Sequence, residues 1–535
     1  MSSDLHAEIA IYDTTLRDGT QREGIALSCA DKLQIAQQLD ALGVAFVEGG
    51  WPGSNPKDAE LFQRARDVPW RSAVLTAFGA TRRAQAGVAD DPGLAALLAS
   101  GAPACTIFGK TSLRHVREAL RTTPDENLAM IEESVGWLVA HGRRVIYDAE
   151  HFFDGAREDE LYALATLDAA VRGGADVIVL CDTNGGTLPW EIERRVREVA
   201  EAVPVVLGIH AHDDTGCAVA STLAAVRAGA THVQGTINGY GERCGNANLT
   251  TIIPALELKL GARCLRPGAL VELGRVARLV ADTANLMFDE HTPYVGKSAF
   301  AHKGGVHVAA MRRSPGAYEH VVPALVGNRT RVVASELAGR SNVQAIAEAH
   351  ALAASDDVHA RVLAWIKDCE ARGFAFEAAD ASVAVMVRRA RADYAPAFEV
   401  VDYTVVTGKR VGGEAYATAA VTVRIAGELV HAAADGNGPV SALDGALREA
   451  LGRRYPALAG IELLDYKVRI VDGCAGTSAT TRVLIDLGNG SERWSTVHAA
   501  PSIVEASLGA LVDGIEHGLM TKGESDAGHD RLAAR

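Results

Sequence analysis

Eight short apolar runs recur between residues 9 and 239, separated by longer segments of helical periodicity. They are IAIYD (9–13), VAFVEGG (44–50), SAVLTAFG (72–79), ACTIFG (104–109), RVIYDAE (144–150), DVIVLCD (176–182), VVLGIHAH (205–212) and HVQGTING (232–239). Most are continuous rather than alternating, the texture of strands covered on both faces in a parallel sheet. Parallel neighbours need a crossover, and segments such as DKLQIAQQLDALG and DENLAMIEESVGWLVAHG place apolar residues at helical intervals to supply it. Eight such units over about 250 residues predict an α/β fold of the (β/α)8 TIM barrel type. A doubly wound open sheet is the alternative, but its Gly-rich dinucleotide fingerprint is missing after the first run.

The chain has 535 residues, too many for one ordinary core. Residues 261 to about 375 read as largely helical, interrupted by SAFAHKGGVHVAA (298–310). From about residue 381 the texture becomes strands and Gly-rich turns, with a weak repeat: 418–451 and 480–515 each read as strand, turn, strand and a Pro-opened helix. The expected division is a barrel over 1–275, a helical linker over 276–380, a C-terminal α+β module over 381–520 and a flexible tail over 521–535. A net charge of −14 without a basic run excludes a general nucleic-acid binder. Eight scattered cysteines without a C-x-x-C pair point to reduced thiols and a cytoplasmic setting. The N-terminus lacks an apolar signal core and no stretch approaches a membrane span, so neither secretion nor membrane insertion is expected.

Polar residues gather where the predicted strands end, the face on which a barrel builds its active site. The ends read DTTLRDG, EGG, DAEH, CDTNGG, HAHDD and NGYGERCGN. His210 and His212, two apart in a strand, project side by side as a bidentate grip for a divalent metal; a hydrogen-bonded polar pair is the competing reading. Asp18 offers an anionic oxygen from the first loop and Asn246 a neutral carbonyl oxygen after the eighth strand. Such a mixed nitrogen and oxygen set suits Mg, Mn or Zn. Arg17, beside Asp18, could hold a developing oxyanion or, alternatively, pair with Asp13 or Glu48.

DTTLRDG, EGGWPGSNPKD, CDTNGGTLP, HAHDDTG, NGYGERCGN and SAFAHKGGVHVAA, in this order, resemble the alpha-isopropylmalate synthase and homocitrate synthase family, and within it the citramalate synthase branch. The similarity spans nearly the whole chain. It implies metal-dependent condensation of acetyl-CoA with a 2-oxo acid, pyruvate for this branch, followed by thioester hydrolysis to citramalate and CoA. Asp18, His210 and His212 would bind the metal, with Asn246 completing the shell. Arg17 would stabilise the transition state, Glu150 would lie beside the substrate, Thr183 would bind its carboxylate, and His307 would help activate acetyl-CoA at a neighbouring subunit's barrel mouth. The C-terminal module would be regulatory, with isoleucine as effector, in a homodimer or higher homo-oligomer. Alternatives are a 2-isopropylmalate synthase acting on 2-oxoisovalerate and an acyl-CoA lyase of the same superfamily, to which Cys244 invites comparison. Asp213 stands where many relatives have Asn, and AHKGGVH where others have AHESGIH.

Overall fold

All eight apolar runs are strands: β1 (Ala10–Asp13), β2 (Phe46–Gly50), β3 (Val74–Ala80), β4 (Ala104–Lys110), β5 (Arg144–Glu150), β6 (Val177–Asp182), β7 (Val206–Ala211) and β8 (His232–Gly235). They form a closed parallel barrel in sequence order, β1 completing the ring against β8. The computed structural model describes residues 7–533 except 315, 336, 337, 410 and 491; the side chains of residues 474 and 520–533 lie outside the description.

Local chemistry sets the crossovers. The first helix, Cys29–Leu42, opens at Ser28 with a capping box to Asp31 and closes at Gly43, whose φ of 98° is the left-handed conformation glycine adopts cheaply. From this helix Asp40 turns inward, and its carboxylate accepts the N–H groups of Arg71, Ser72 and Ala73, fixing the entry into β3. The helix Pro189–Ala202 buries Ile192, Val196 and Val199 on one face and lays its charges on the other.

Register places the site. Phe46 faces Tyr12, Tyr12 faces Gln234, Gln234 faces His210 and His210 faces Cys181, so these side chains share one side of the sheet. That side is the barrel interior, where Tyr12, Phe46, Ile146, Val177, Val179 and Cys181 form an apolar cluster. The larger core lies between strands and helices.

Two compact units divide the chain: Met1–Phe300 with Val321–Arg329, and Ala301–His320 with Thr330–Arg535. A boundary at 275 falls inside the helix Leu273–Thr283, whose Leu273, Val276, Ala277 and Val280 belong to the barrel core, as does Phe300. The second unit begins with a short parallel pair, β9 (Ala301–His302) and β10 (Arg331–Val332), and the helices Arg340–Ala349, Asp356–Ala371 and Asp380–Arg389 follow. The strand texture expected from 381 starts later, because Asp380–Arg389 is a helix despite its alternating valines. Residues 381 to 388 are all buried, so packing on every side overrides β-branched propensity.

Two copies of a strand-strand-strand-helix unit come next: β11 (Glu399–Lys409), β12 (Ala415–Ile425), β13 (Glu428–Gly436) and the helix Pro439–Gly452, then β14 (Glu462–Ile470), β15 (Thr481–Gly488), β16 (Arg493–Ala500) and the helix Ile503–Ala533. Each copy has one strand more than the sequence repeat indicates. Both antiparallel sheets carry a bulge near the start of the added strand, between Val400 and Asp402 and between Leu463 and Asp465, so the repeat extends to this backbone detail. The tail expected from 521 continues the last helix to Ala533; residues 534–535 lie outside the described residues.

Gly235 ends β8, and a Cβ there would stand 2.5 Å from the Ala247 carbonyl oxygen, in a backbone segment tied to β7 by the Ala247 N–H to Ala211. Gly235→Ala is expected to destabilise the barrel by about 1–3 kcal/mol through this overpacking, read as a lowered thermal midpoint.

Candidate metal centre

Asp18, His210 and His212 converge at the carboxyl ends of β1 and β7, all three buried. One ligand atom from each lies within 4.8 Å of the others. His210 Nε2 is 3.4 Å and His212 Nε2 3.7 Å from Asp18 Oδ2, and the two Nε2 atoms are 3.4 Å apart.

Their opposite ring nitrogens decide what these atoms can do. His210 Nδ1 lies 2.8 Å from Gln234 Oε1 and His212 Nδ1 2.7 Å from the Thr183 carbonyl oxygen. Both oxygens only accept, so each Nδ1 carries the proton and each Nε2 presents a lone pair. Two imidazole lone pairs and a carboxylate oxygen thus face one another. Among the described residues, Asp18 Oδ1 and Asn246 Oδ1 are also buried without a hydrogen-bond partner, and Asn246 is bridged by backbone to His212. Such a convergence of electron-pair donors, with two buried oxygens beside it left without a hydrogen-bond partner, fits a divalent cation.

Arg17 lies beside this cluster. Its Nε donates to Glu48 Oε2 at 2.9 Å and its Nη2 to Glu48 Oε1 at 3.4 Å, its guanidinium carbon is 3.7 Å from the centre of the Phe78 ring, and its Nη1 is 3.4 Å from Asp18 Oδ2. Of the two acidic partners considered for it, Glu48 is the one in contact. Asp13 instead accepts from the amide and hydroxyl of Thr15, and burial pushes its carboxyl up to about 7. Burial also works against the charge of Asp18, but the Arg17 guanidinium beside it leads the groups that hold that carboxyl well below the usual range.

Glu150, at the end of β5, pairs with Lys110 from β4. Thr183 follows β6; its hydroxyl oxygen accepts the His151 N–H at 2.8 Å, and its carbonyl also accepts Arg243 Nη2 at 2.9 Å. His307 belongs to the second compact unit, where it is exposed with its ring stacked on Tyr318, centroids 4.3 Å apart. Asp213 accepts the Ala218 N–H at its carboxylate, while Lys303 of AHKGGVH pairs with Glu377. Cys244 is exposed.

Sequence reasoning missed Gln234 and Asp148, whose side chains join at 3.0 Å behind His210. The available signal was register, because Gln234 is the cross-strand neighbour of His210. Burial first, then Glu48, pushes the Asp148 carboxyl well above its ordinary value.

Residues 8–280 match the HMGL-like family, residues 294–373 the homocitrate synthase post-HMGL domain-like family and residues 377–519 the LeuA allosteric (dimerisation) domain. The chain is 52% identical over 523 residues to an (R)-citramalate synthase of Synechocystis, covering 95% of this chain and 96% of that one. It is 49% identical over 531 residues to an (R)-citramalate synthase of Streptomyces coelicolor, covering 98% and 99%. A probable 2-isopropylmalate synthase of Methanopyrus kandleri is 32% identical over 510 residues, covering 95% and 97%.

Replacing both imidazoles in a His210→Ala, His212→Ala double variant is expected to abolish Mn2+ binding by the chelator-stripped chain while leaving its far-ultraviolet circular dichroism unchanged. Calorimetric titration checks this, and full Mn2+ binding by the double variant would remove the assignment.

Proposed function

The chain belongs to the citramalate synthase branch of the alpha-isopropylmalate synthase and homocitrate synthase family, and on that premise we propose that it condenses acetyl-CoA with pyruvate to give (R)-citramalate and CoA. The observation that carries the reading is the pair of imidazoles whose Nδ1 protons are both engaged and whose lone pairs meet Asp18. A divalent metal held by Asp18, His210 and His212, with Asn246 in support, would supply Lewis-acid polarisation of an oxo-acid carbonyl.

The chain's own residues supply the rest. Arg17 is pinned by Glu48 and Phe78, so its charge is preorganised beside the site and stabilises negative charge as it develops on the keto oxygen. Thr183 has its hydroxyl oxygen occupied as an acceptor by His151, which leaves its own proton to donate to the substrate carboxylate. Glu150, held by Lys110, orients the substrate. With His307 assisting at a neighbouring subunit's barrel mouth, a base takes a proton from the acetyl methyl group, and the carbanion attacks the keto carbon, forming the new bond as the carbonyl π pair moves onto the keto oxygen. The keto oxygen then takes a proton, and water cleaves the thioester to release the CoA thiol. We assign the C-terminal pair of units to homodimer assembly and to sensing isoleucine, a reading supported by the match to the LeuA allosteric (dimerisation) domain.

Thiol release by the purified chain is expected to be fastest with pyruvate among pyruvate, 2-oxobutyrate, 2-oxoisovalerate and 2-oxoglutarate, and to fall when isoleucine is added. A preference for 2-oxoisovalerate would make it an isopropylmalate synthase, and indifference to isoleucine would leave the C-terminal units an assembly role only. Arg17→Lys keeps the charge and loses the planar fork. It is expected to lower kcat at least tenfold with Mn2+ affinity retained, whereas an effect confined to KM would assign Arg17 to substrate capture.

A further inference from the structure

We infer that Gln234 is a positioning residue for the metal centre: its amide, hydrogen-bonded to Asp148, locks His210 in the tautomer that turns a lone pair toward Asp18. This rests on the metal-centre reading above. Gln234 is 1% exposed, and its two polar ends are spent on two partners. Oε1 faces His210 Nδ1 at 2.8 Å and Nε2 donates to Asp148 Oδ1 at 3.0 Å. The side chain therefore reaches across the barrel interior from β8, linking a residue of β7 to one of β5.

The sense of the amide matters because the alternative is self-consistent. Reversed, Gln234 would aim its NH2 at His210 Nδ1, the proton would move to Nε2, and Nε2 would donate to Asp18 Oδ2 across the present 3.4 Å. Asp18 and His210 would then meet as an ordinary polar pair, with no electron pair of His210 left for a cation. Reversal would also take the Nε2 donor away from Asp148 Oδ1. The amide sense seen here, with Nε2 on Asp148 Oδ1 and Oε1 on His210 Nδ1, is the one that selects the tautomer. His212 needs no such device, since its Nδ1 meets a backbone carbonyl that has only one sense.

The test titrates Mn2+ into the chelator-stripped full-length chain by calorimetry and records the Co2+ ligand-field spectrum in parallel. Gln234→Met preserves length without an acceptor, and we expect it to weaken Mn2+ binding about 10- to 100-fold and to alter the Co2+ spectrum. Gln234→Glu keeps an acceptor opposite Nδ1, so its affinity should stay closer to the parent chain than to Gln234→Met. Parent-like Mn2+ affinity in Gln234→Met overturns the inference, as does a loss in Gln234→Glu as deep as in Gln234→Met, which would mark packing rather than the acceptor. Should Gln234→Met fail to fold, Gln234→Asn, one methylene too short to reach, replaces it under the same criterion. The reading beneath fails separately: Mn2+ binding that survives in the His210→Ala, His212→Ala double variant removes the metal centre itself, whereas its loss there with parent-like Gln234→Met removes only the positioning role.

Discussion

A carboxylate out of water keeps its charge only if a cation or several donors stand against it. For Asp18 that cation is Arg17, and the requirement propagates. Arg17 is shielded in its turn and is matched by Glu48, which is fully buried and also accepts the hydroxyls of Tyr12 and Thr14. Tyr12 shares its hydroxyl with Thr106 of β4. A chain of satisfied groups therefore runs from the candidate ligands into the strands that carry them. Breaking a buried pair of this kind typically costs about 3–5 kcal/mol, because the partner left behind remains charged and dry.

The same barrel uses histidine in two opposite ways. His232, at the start of β8, is fully buried with its ring against Tyr12 and Phe46, and burial pushes it down to about 3, so it behaves as a neutral aromatic filler. Two residues further along the same strand, Gln234 turns toward His210, which is arranged for binding. What separates the imidazoles is height along the barrel axis. Low in the interior the neighbours are apolar rings and aliphatic chains; higher up they are carboxylates, amides and hydroxyls.

That distinction explains what the amino-acid sequence could and could not reveal. The eight strands were legible because each is a dense apolar run, and the candidate ligands because H-x-H and DTTLRDG sit where such runs end. The first strand of each C-terminal unit was not, since EVVDYTVVTGK and ELLDYKVRI break their apolar residues with charges and are mostly exposed. The helix Asp380–Arg389 was hidden for the opposite reason, its valines alternating as a strand's would while burial surrounds them. Gln234 and Asp148 carry no motif of their own. Their meaning comes from register and from a contact across the barrel interior, between residues 86 apart in the chain.

The two imidazoles lean on different kinds of support, a side chain for His210 and the main chain for His212. A main-chain carbonyl is present whatever amino acid occupies position 183, so one arm of the site is insensitive to the identity of its prop. The other arm depends on a particular amide and on the acid behind it. Mutational tolerance should therefore be lopsided around two ligands that look equivalent in the sequence. In a lineage drifting away from this chemistry, the prop of His210 is the one that substitution can erode while both histidines still read as intact.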